Sequence, residues 1–160
     1  MSSRDPRRTS TAHTSSKRTS LLPRPSSIAI DPSALIAQHA QLTGSYPITI
    51  GPGAVLHPHA KINRAVVEAA EIGEGSVVEV GAVVGRGAVV GKYCTISAAS
   101  IVPPYATLPD YTVVFSGSQK RVDKTLQQRP DILEQKMAVH QKQLEMFRRL
   151  IANNIAKWTG

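Results

Sequence analysis

The sequence predicts a mainly β protein: a solenoid of three-sided coils, closed by a C-terminal α-helix and preceded by a disordered N-terminal tail. Three observations carry this expectation. They are an internal repeat of period six, a core composition poor in aromatics, and a switch to helical spacing after residue 117. Of the 160 residues, 41% are apolar but only 4% aromatic. The interior is therefore built from Val, Ile, Leu and Ala, which suits narrow, evenly spaced layers.

The repeat is the strongest signal. From Val66 onward every sixth residue is aliphatic: Val66, Ile72, Val78, Val84, Val90, Ile96, Val102, Leu108 and Val114. Four positions after each of the first eight stands a small residue: Ala70, Ser76, Ala82, Ala88, Cys94, Ser100, Ala106 and Thr112. Glycine recurs one position after the aliphatic (Gly73, Gly85, Gly91) and three after it (Gly75, Gly81, Gly87). A short strand, a sharp corner and the next strand make one face of a triangular coil. The aliphatic points inward, the small residue fills the converging corner, and glycine relieves a corner that needs positive φ. Three hexads close a coil of 18 residues, and parallel hydrogen bonds join coils at about 4.8 Å. Each fully buried Val, Leu or Ile contributes about 1.5–3 kcal/mol, so stability requires stacking.

The pattern extends upstream through Ile30, Ile36 and Leu42, then Ile50, Leu56 and Ile62, with Ala34, Ala40, Ala54 and Ala60 as the small residues. A step of eight between Leu42 and Ile50 fits a two-residue bulge at Gly44-Ser45-Tyr46-Pro47. The step of four between Ile62 and Val66 is too short for a face and predicts a broken register.

Three segments follow: a tail at 1–27, the hexapeptide domain at 28–117, and a linker with a capping or docking helix at 118–160. The tail is rich in Ser, Thr, Arg and Pro and cannot bury enough apolar surface to order itself. Its clusters Arg7-Arg8-Thr9-Ser10 and Lys17-Arg18-Thr19-Ser20 suit phosphorylation, an acidic surface or plain solvation. In the last segment Arg129-Pro130-Asp131 marks a helix start. Leu133, Met137, His140, Leu144, Phe147 and Ile151 then form one stripe, able to cover the solenoid or to dock a partner. The net charge of +8 sits on the two ends. The tail has six basic residues against Asp5, and 118–160 has nine basic against four acidic, whereas 28–117 has four basic against six acidic. This argues against a nucleic-acid groove in the main domain. The single cysteine, Cys94, cannot form an internal disulfide, no secretory signal is visible, and no apolar run is long enough to span a membrane. These features predict a cytoplasmic protein.

The block Ile72-Gly73-Glu74-Gly75-Ser76-Val77-Val78-Glu79-Val80-Gly81 resembles the left-handed β-helix family of hexapeptide proteins. The left hand is what that resemblance implies, since parallel crossovers are ordinarily right-handed. The exit Leu108-Pro109-Asp110-Tyr111-Thr112-Val113-Val114-Phe115-Ser116-Gly117 leads to a basic stretch and a helix ending Arg148-Arg149-Leu150-Ile151-Ala152-Asn153-Asn154. That order resembles the β-helical subunits at the pointed end of the dynactin filament, over about residues 47–158. The resemblance implies a non-catalytic, cytoskeletal subunit supporting dynein-driven transport. Its partners would be dynactin subunit five and the pointed-end actin-related protein, with no cofactor and no catalytic residue. Such subunits carry one or two further coils near Ile62–Val66, so the short step there is a departure.

Two enzymatic alternatives stand beside that expectation. His39 and His59 lie three positions after Ile36 and Leu56, three hexads apart, so they can stack on neighbouring coils about 4.8 Å apart. With His57 nearby they are metal-ligand candidates of the γ-carbonic-anhydrase kind, but no acidic residue close in sequence orients them. An acyltransferase needs a histidine base in a cleft, and 66–114 contains no histidine. Glu74 and Glu79 are expected to face solvent, and Cys94 to pack in the corner rather than act as a nucleophile. No catalytic constellation emerges, and the expectation is a non-enzymatic protein.

Overall fold

The structure, a computed structural model, describes residues 28–43, 47–63 and 70–159. The disorder expected of 1–27 lies outside them. The chain winds in coils of three short strands. The first coil is β1 (Ile28–Ile30), β2 (Leu35–Ile36) and β3 (Gln41–Thr43). The second is β4 (Ile48–Ile50), β5 (Val55–Leu56) and β6 (Lys61–Asn63), and the third is β7 (Ala70–Ile72), β8 (Val77–Val78) and β9 (Val83–Val84). The fourth is β10 (Val89–Val90), β11 (Thr95–Ile96) and β12 (Ile101–Val102), and a partial fifth holds β13 (Thr107–Leu108) and β14 (Thr112–Phe115). Like strands stack in parallel into three walls: β1-β4-β7-β10-β13, β2-β5-β8-β11-β14, and β3-β6-β9-β12. Strand β15 (Gln119–Val122) folds back antiparallel on β14.

The aliphatic column from Ile72 to Val114 is buried throughout, and its upstream members Ile36, Leu42, Ile50, Leu56 and Ile62 share the same core. The small-residue column lines the corners beside it, with Ala34, Ala54, Ala70, Ala88 and Cys94 all at 0% exposure. Ile30 pairs with Ile50, twenty residues on, so the two extra residues expected between Leu42 and Ile50 are present in the register. The bulge itself, at 44–46, lies outside the described residues.

The expectation of a broken register at Ile62–Val66 is corrected. β4 pairs directly with β7, β5 with β8 and β6 with β9, so the second and third coils are neighbours in one continuous stack. The partners Ile50 and Ile72 are 22 residues apart, so the chain carries four residues beyond a regular coil here, not a deficit. The wall residue following Ile62 is Ile72. Val66 lies outside the described residues.

The corner residue three positions after the aliphatic adopts positive φ at most corners, with Ser33 after Ile30 an exception, but glycine is not required there. His39, His59, Tyr93, Ala99, Tyr105 and Tyr111 all lie between 55° and 63°. Each such residue costs about 1–2 kcal/mol. An amide hydrogen bond to the preceding coil offsets this, as from Tyr93 N to Glu74 O at 2.8 Å and Ala99 N to Val80 O at 3.0 Å. The glycines one position after the aliphatic have another origin, close approach between coils: a Cβ on Gly73 would lie 2.6 Å from the Gly91 carbonyl carbon.

Polar members of the small-residue column differ in their partners, and a prediction follows. Ser76 Oγ donates to Gly91 O at 2.8 Å and accepts from Cys94 N at 3.0 Å, whereas the buried Ser100 Oγ has no partner among the described residues. Ser76→Ala orphans a buried amide and is expected to lower stability by about 1–3 kcal/mol. Ser100→Ala removes an unpaired hydroxyl and is expected to be neutral or stabilising. Urea unfolding midpoints of the two variants check this, and equal losses would show that both hydroxyls are satisfied in solution.

The C-terminal segment covers one wall and one end. Helix α1 (Lys124–Gln128) starts at Asp123, whose Oδ1 accepts from the amides of Thr125 and Leu126. Helix α2 (Pro130–Leu150) begins with proline in its first turn and Asp131 near its positive end. Its stripe lies on the outer face of the β2-β5-β8 wall, where Leu144 and Phe147 meet Leu35, Ala37, Val55 and Val77. Outward residues on this wall are apolar, whereas those of the β1-β4-β7 wall are Ala29, Thr49 and Glu71. Beyond α2, Asn154 N donates to Ile36 O and Asn153 Oδ1 accepts from Ile36 N, continuing the first coil's free edge. In α3 (Ala156–Thr159), Trp158 packs with Ile155 over Ile28 and Ile30 and closes the first coil. Among the described residues, no helix is long and apolar enough to cross a membrane.

Candidate active site

Where α2 rests on the solenoid it leaves a groove of about 440 Å³. Val55, Val77 and Thr95 of β5, β8 and β11 form the floor; Lys136, Val139, His140, Gln143, Leu144 and Phe147 of α2 form one side. The opposite rim is a corner of the solenoid, where His57 and Glu79 each follow the last residue of their strand on adjacent coils. An apolar trough thus carries two imidazoles, one carboxylate and one ammonium.

The His57 ring meets Phe147 edge-on, with centroids 5.3 Å apart and planes at 82°. Burial holds this imidazole below its usual pKa, and the negative charge of Glu79 opposes the shift. Glu79 is fixed in turn: its Oε2 accepts from Ala98 N at 2.9 Å. The expectation that Glu79 faces bulk solvent is corrected, because α2 roofs the corner beside it. Glu74 lies elsewhere, 3.6 Å from Lys92 Nζ. His140 is 8% exposed, with Nε2 2.7 Å from Gly53 O. A carbonyl only accepts, so Nε2 carries the hydrogen, and in the neutral ring Nδ1 keeps the lone pair.

The sequence candidates separate. His39 and His59 stack as the spacing predicts, with rings 5.3 Å apart and 6° from parallel, on an exposed corner. His57 turns away from them toward Phe147, and no group of three or more metal-ligating side chains occurs among the described residues. Cys94 is fully buried, its Sγ directed at Pro109 O, and burial pushes its thiol pKa up, which disfavours the nucleophilic thiolate. Helical spacing places His140 in the packing stripe and gives no link between it and His57. The signal available was a lone polar residue within that stripe.

No protein-family model matches the chain, and no curated protein matches its sequence. Solved structures do match in fold. PerB from Caulobacter crescentus, described in complex with CoA and GDP-perosamine, aligns at 20% identity and TM-score 0.41, over 59% of this chain and 56% of that one. The acetyltransferase domain of PglB from Neisseria gonorrhoeae, described in complex with acetyl coenzyme A, aligns at 19% and 0.42, over 59% and 54%. A hexapeptide transferase family protein from Anaplasma phagocytophilum aligns at 19% and 0.42, over 77% and 90%. The chain thus spans little more than half the length of the first two. These matches overturn the expectation of a non-catalytic dynactin subunit: they are acetyltransferase and transferase structures, and nothing among them points to dynactin subunit six. The dynactin partners followed from that expectation and are not carried forward. What stands is the fold, a left-handed parallel β-helix of hexapeptide repeats with a C-terminal helix.

Proposed function

We propose that the chain is an acyltransferase that works in the groove between α2 and the solenoid, with His57 as general base. One observation carries the reading: a half-buried imidazole, its pKa lowered by burial, stands beside a fixed carboxylate at the rim of a groove whose floor includes Val55 and Val77. Neutral His57 takes the proton from an acceptor's amine or hydroxyl as that atom bonds to the carbonyl carbon of an acyl thioester. Glu79 stabilises the imidazolium that forms. The tetrahedral oxyanion collapses, the C–S bond breaks, and the departing thiolate recovers the proton from His57. Lys136 and Gln143 supply N–H donors on the facing side for the oxyanion or for anionic groups of the donor. The apolar floor suits the acyl group.

The test is thiol release from acetyl-CoA and longer acyl-CoAs, measured against a panel of small amines and alcohols. His57→Ala is expected to lower kcat/KM about 10²–10⁴-fold while leaving the unfolding midpoint nearly unchanged. Because burial depresses the His57 pKa, its neutral form persists below the ordinary imidazole range. The acid limb of kcat/KM should therefore fall at a pH lower than free imidazole would give. Glu79 raises that pKa, so Glu79→Gln should move the limb lower still. Full turnover in His57→Ala, or no transfer to any acceptor by the folded protein, would overturn the proposal.

A further inference from the structure

Independently of the groove, we infer that β15 is a docking edge for an extended acidic segment of a partner polypeptide. The N-terminal end of the solenoid is closed by α3, and the wall bearing α2 continues at its other end into β15. β15 is the terminal strand of this six-stranded sheet, and all four of its residues are exposed. Asp123 N donates to Tyr111 O at 2.8 Å, while Tyr111 N turns to Lys92 O at 2.9 Å, so a single bond sets the phase of the ladder at this end. Antiparallel ladders alternate, so in that phase Val113 with Arg121 and Phe115 with Gln119 are the hydrogen-bonded pairs. The backbone N–H and C=O groups of Lys120 and Val122 therefore point away from β14, along a free edge. Val114 O, on the far side of β14, accepts from Ser97 N, as this alternation requires.

Charge selects the occupant. Lys120 and Arg121 lie on this edge and Lys124 follows it, and no ion pair is formed by any of the three among the described residues. Asp123 is committed to the α1 cap and Asp131 to Arg129. Two copies joined edge to edge would bring these cations together, and edge lysines ordinarily prevent such pairing. An acidic strand reverses the sign of that interaction and uses the free donors and acceptors alike. A phosphodiester chain meets the cations but has no donor for the outward carbonyls.

The probe is a fluorescent decapeptide of alternating Val and Glu, compared with its Val-Lys counterpart and with single-stranded DNA. Polarisation should show saturable binding of the acidic peptide, at least tenfold tighter than the other two, with amides of 119–122 slowed in hydrogen exchange. Lys120→Pro, tolerated on a free edge because the lost N–H faces solvent, should abolish binding without changing the far-UV spectrum. The double variant Lys120→Glu, Arg121→Glu should exchange the preference for the basic peptide. The inference is overturned by equal or tighter DNA binding, by peptide binding that survives Lys120→Pro, by no saturable binding, or by a wild-type dimer that Lys120→Pro dissolves.

Discussion

Gly73→Ala is expected to destabilise the solenoid by about 3 kcal/mol, the upper part of the usual range for overpacking a tight interior. The added methyl would sit 2.6 Å from the Gly91 carbonyl carbon and oxygen and 2.8 Å from Lys92 N. Those atoms are backbone of the next coil, held by the bond from Gly73 N to Val90 O, so no side-chain rotation relieves the contact. Gly81→Ala is the control. It has φ +68° but nothing within 4 Å of its added Cβ, so it should lose only the left-handed cost of about 1–2 kcal/mol. Ala99, which holds the same corner one coil later at φ 55°, shows that alanine is accommodated there. Denaturant unfolding of both variants reads the difference. If Gly81→Ala lost as much as Gly73→Ala, corner conformation rather than the spacing of coils would limit this fold.

The same contrast explains how much of the molecule could be read from its residues. An inward aliphatic every six positions needs only local alternation and corner sterics, so the columns from Ile72 to Val114 and their small companions were legible. The succession of faces was not. Periodicity says that a residue points inward but not which wall it joins, and wall identity is set by pairing with a strand about twenty residues away. Val66 stands six before Ile72, so spacing alone reads as one continuous series of faces. Only the pairing of Ile50 with Ile72 shows the four additional residues before β7. The outward column distinguishes the walls: Leu35, Val55 and Val77 are large and apolar where the neighbouring wall shows Ala29, Thr49 and Glu71, and that difference marks the wall α2 covers. The groove was beyond sequence reasoning for a related cause. His57 and Glu79 occupy hexad positions that face solvent on a bare solenoid. They become site residues only because Phe147 and its neighbours, some ninety residues later, roof the corner.

Leu144→Ala should therefore damage activity and stability together. Leu144 is 1% exposed and packs against Leu35, Ala37 and Val55. Truncating a buried leucine costs about 2–5 kcal/mol, here concentrated at the joint between helix and solenoid. The hydrogen bonds from His140 to Gly53 O and from Arg148 to Ser33 O remain. They fix the helix at separate points but do not replace the apolar contact between them, so α2 should loosen from the wall before the coils themselves unfold. Hydrogen exchange in 130–150 would then quicken while that of the buried strands stays slow. Acyl transfer, measured where far-UV dichroism reports a folded chain, should fall by more than the unfolded fraction accounts for, because His57 loses Phe147 and the groove loses its roof. Leu150→Ala is the matching control: at 74% exposure its change should stay within about 0.5 kcal/mol and leave turnover intact. Unchanged turnover in Leu144→Ala with a demonstrably loosened helix would place the chemistry on the solenoid alone and remove α2 from the site.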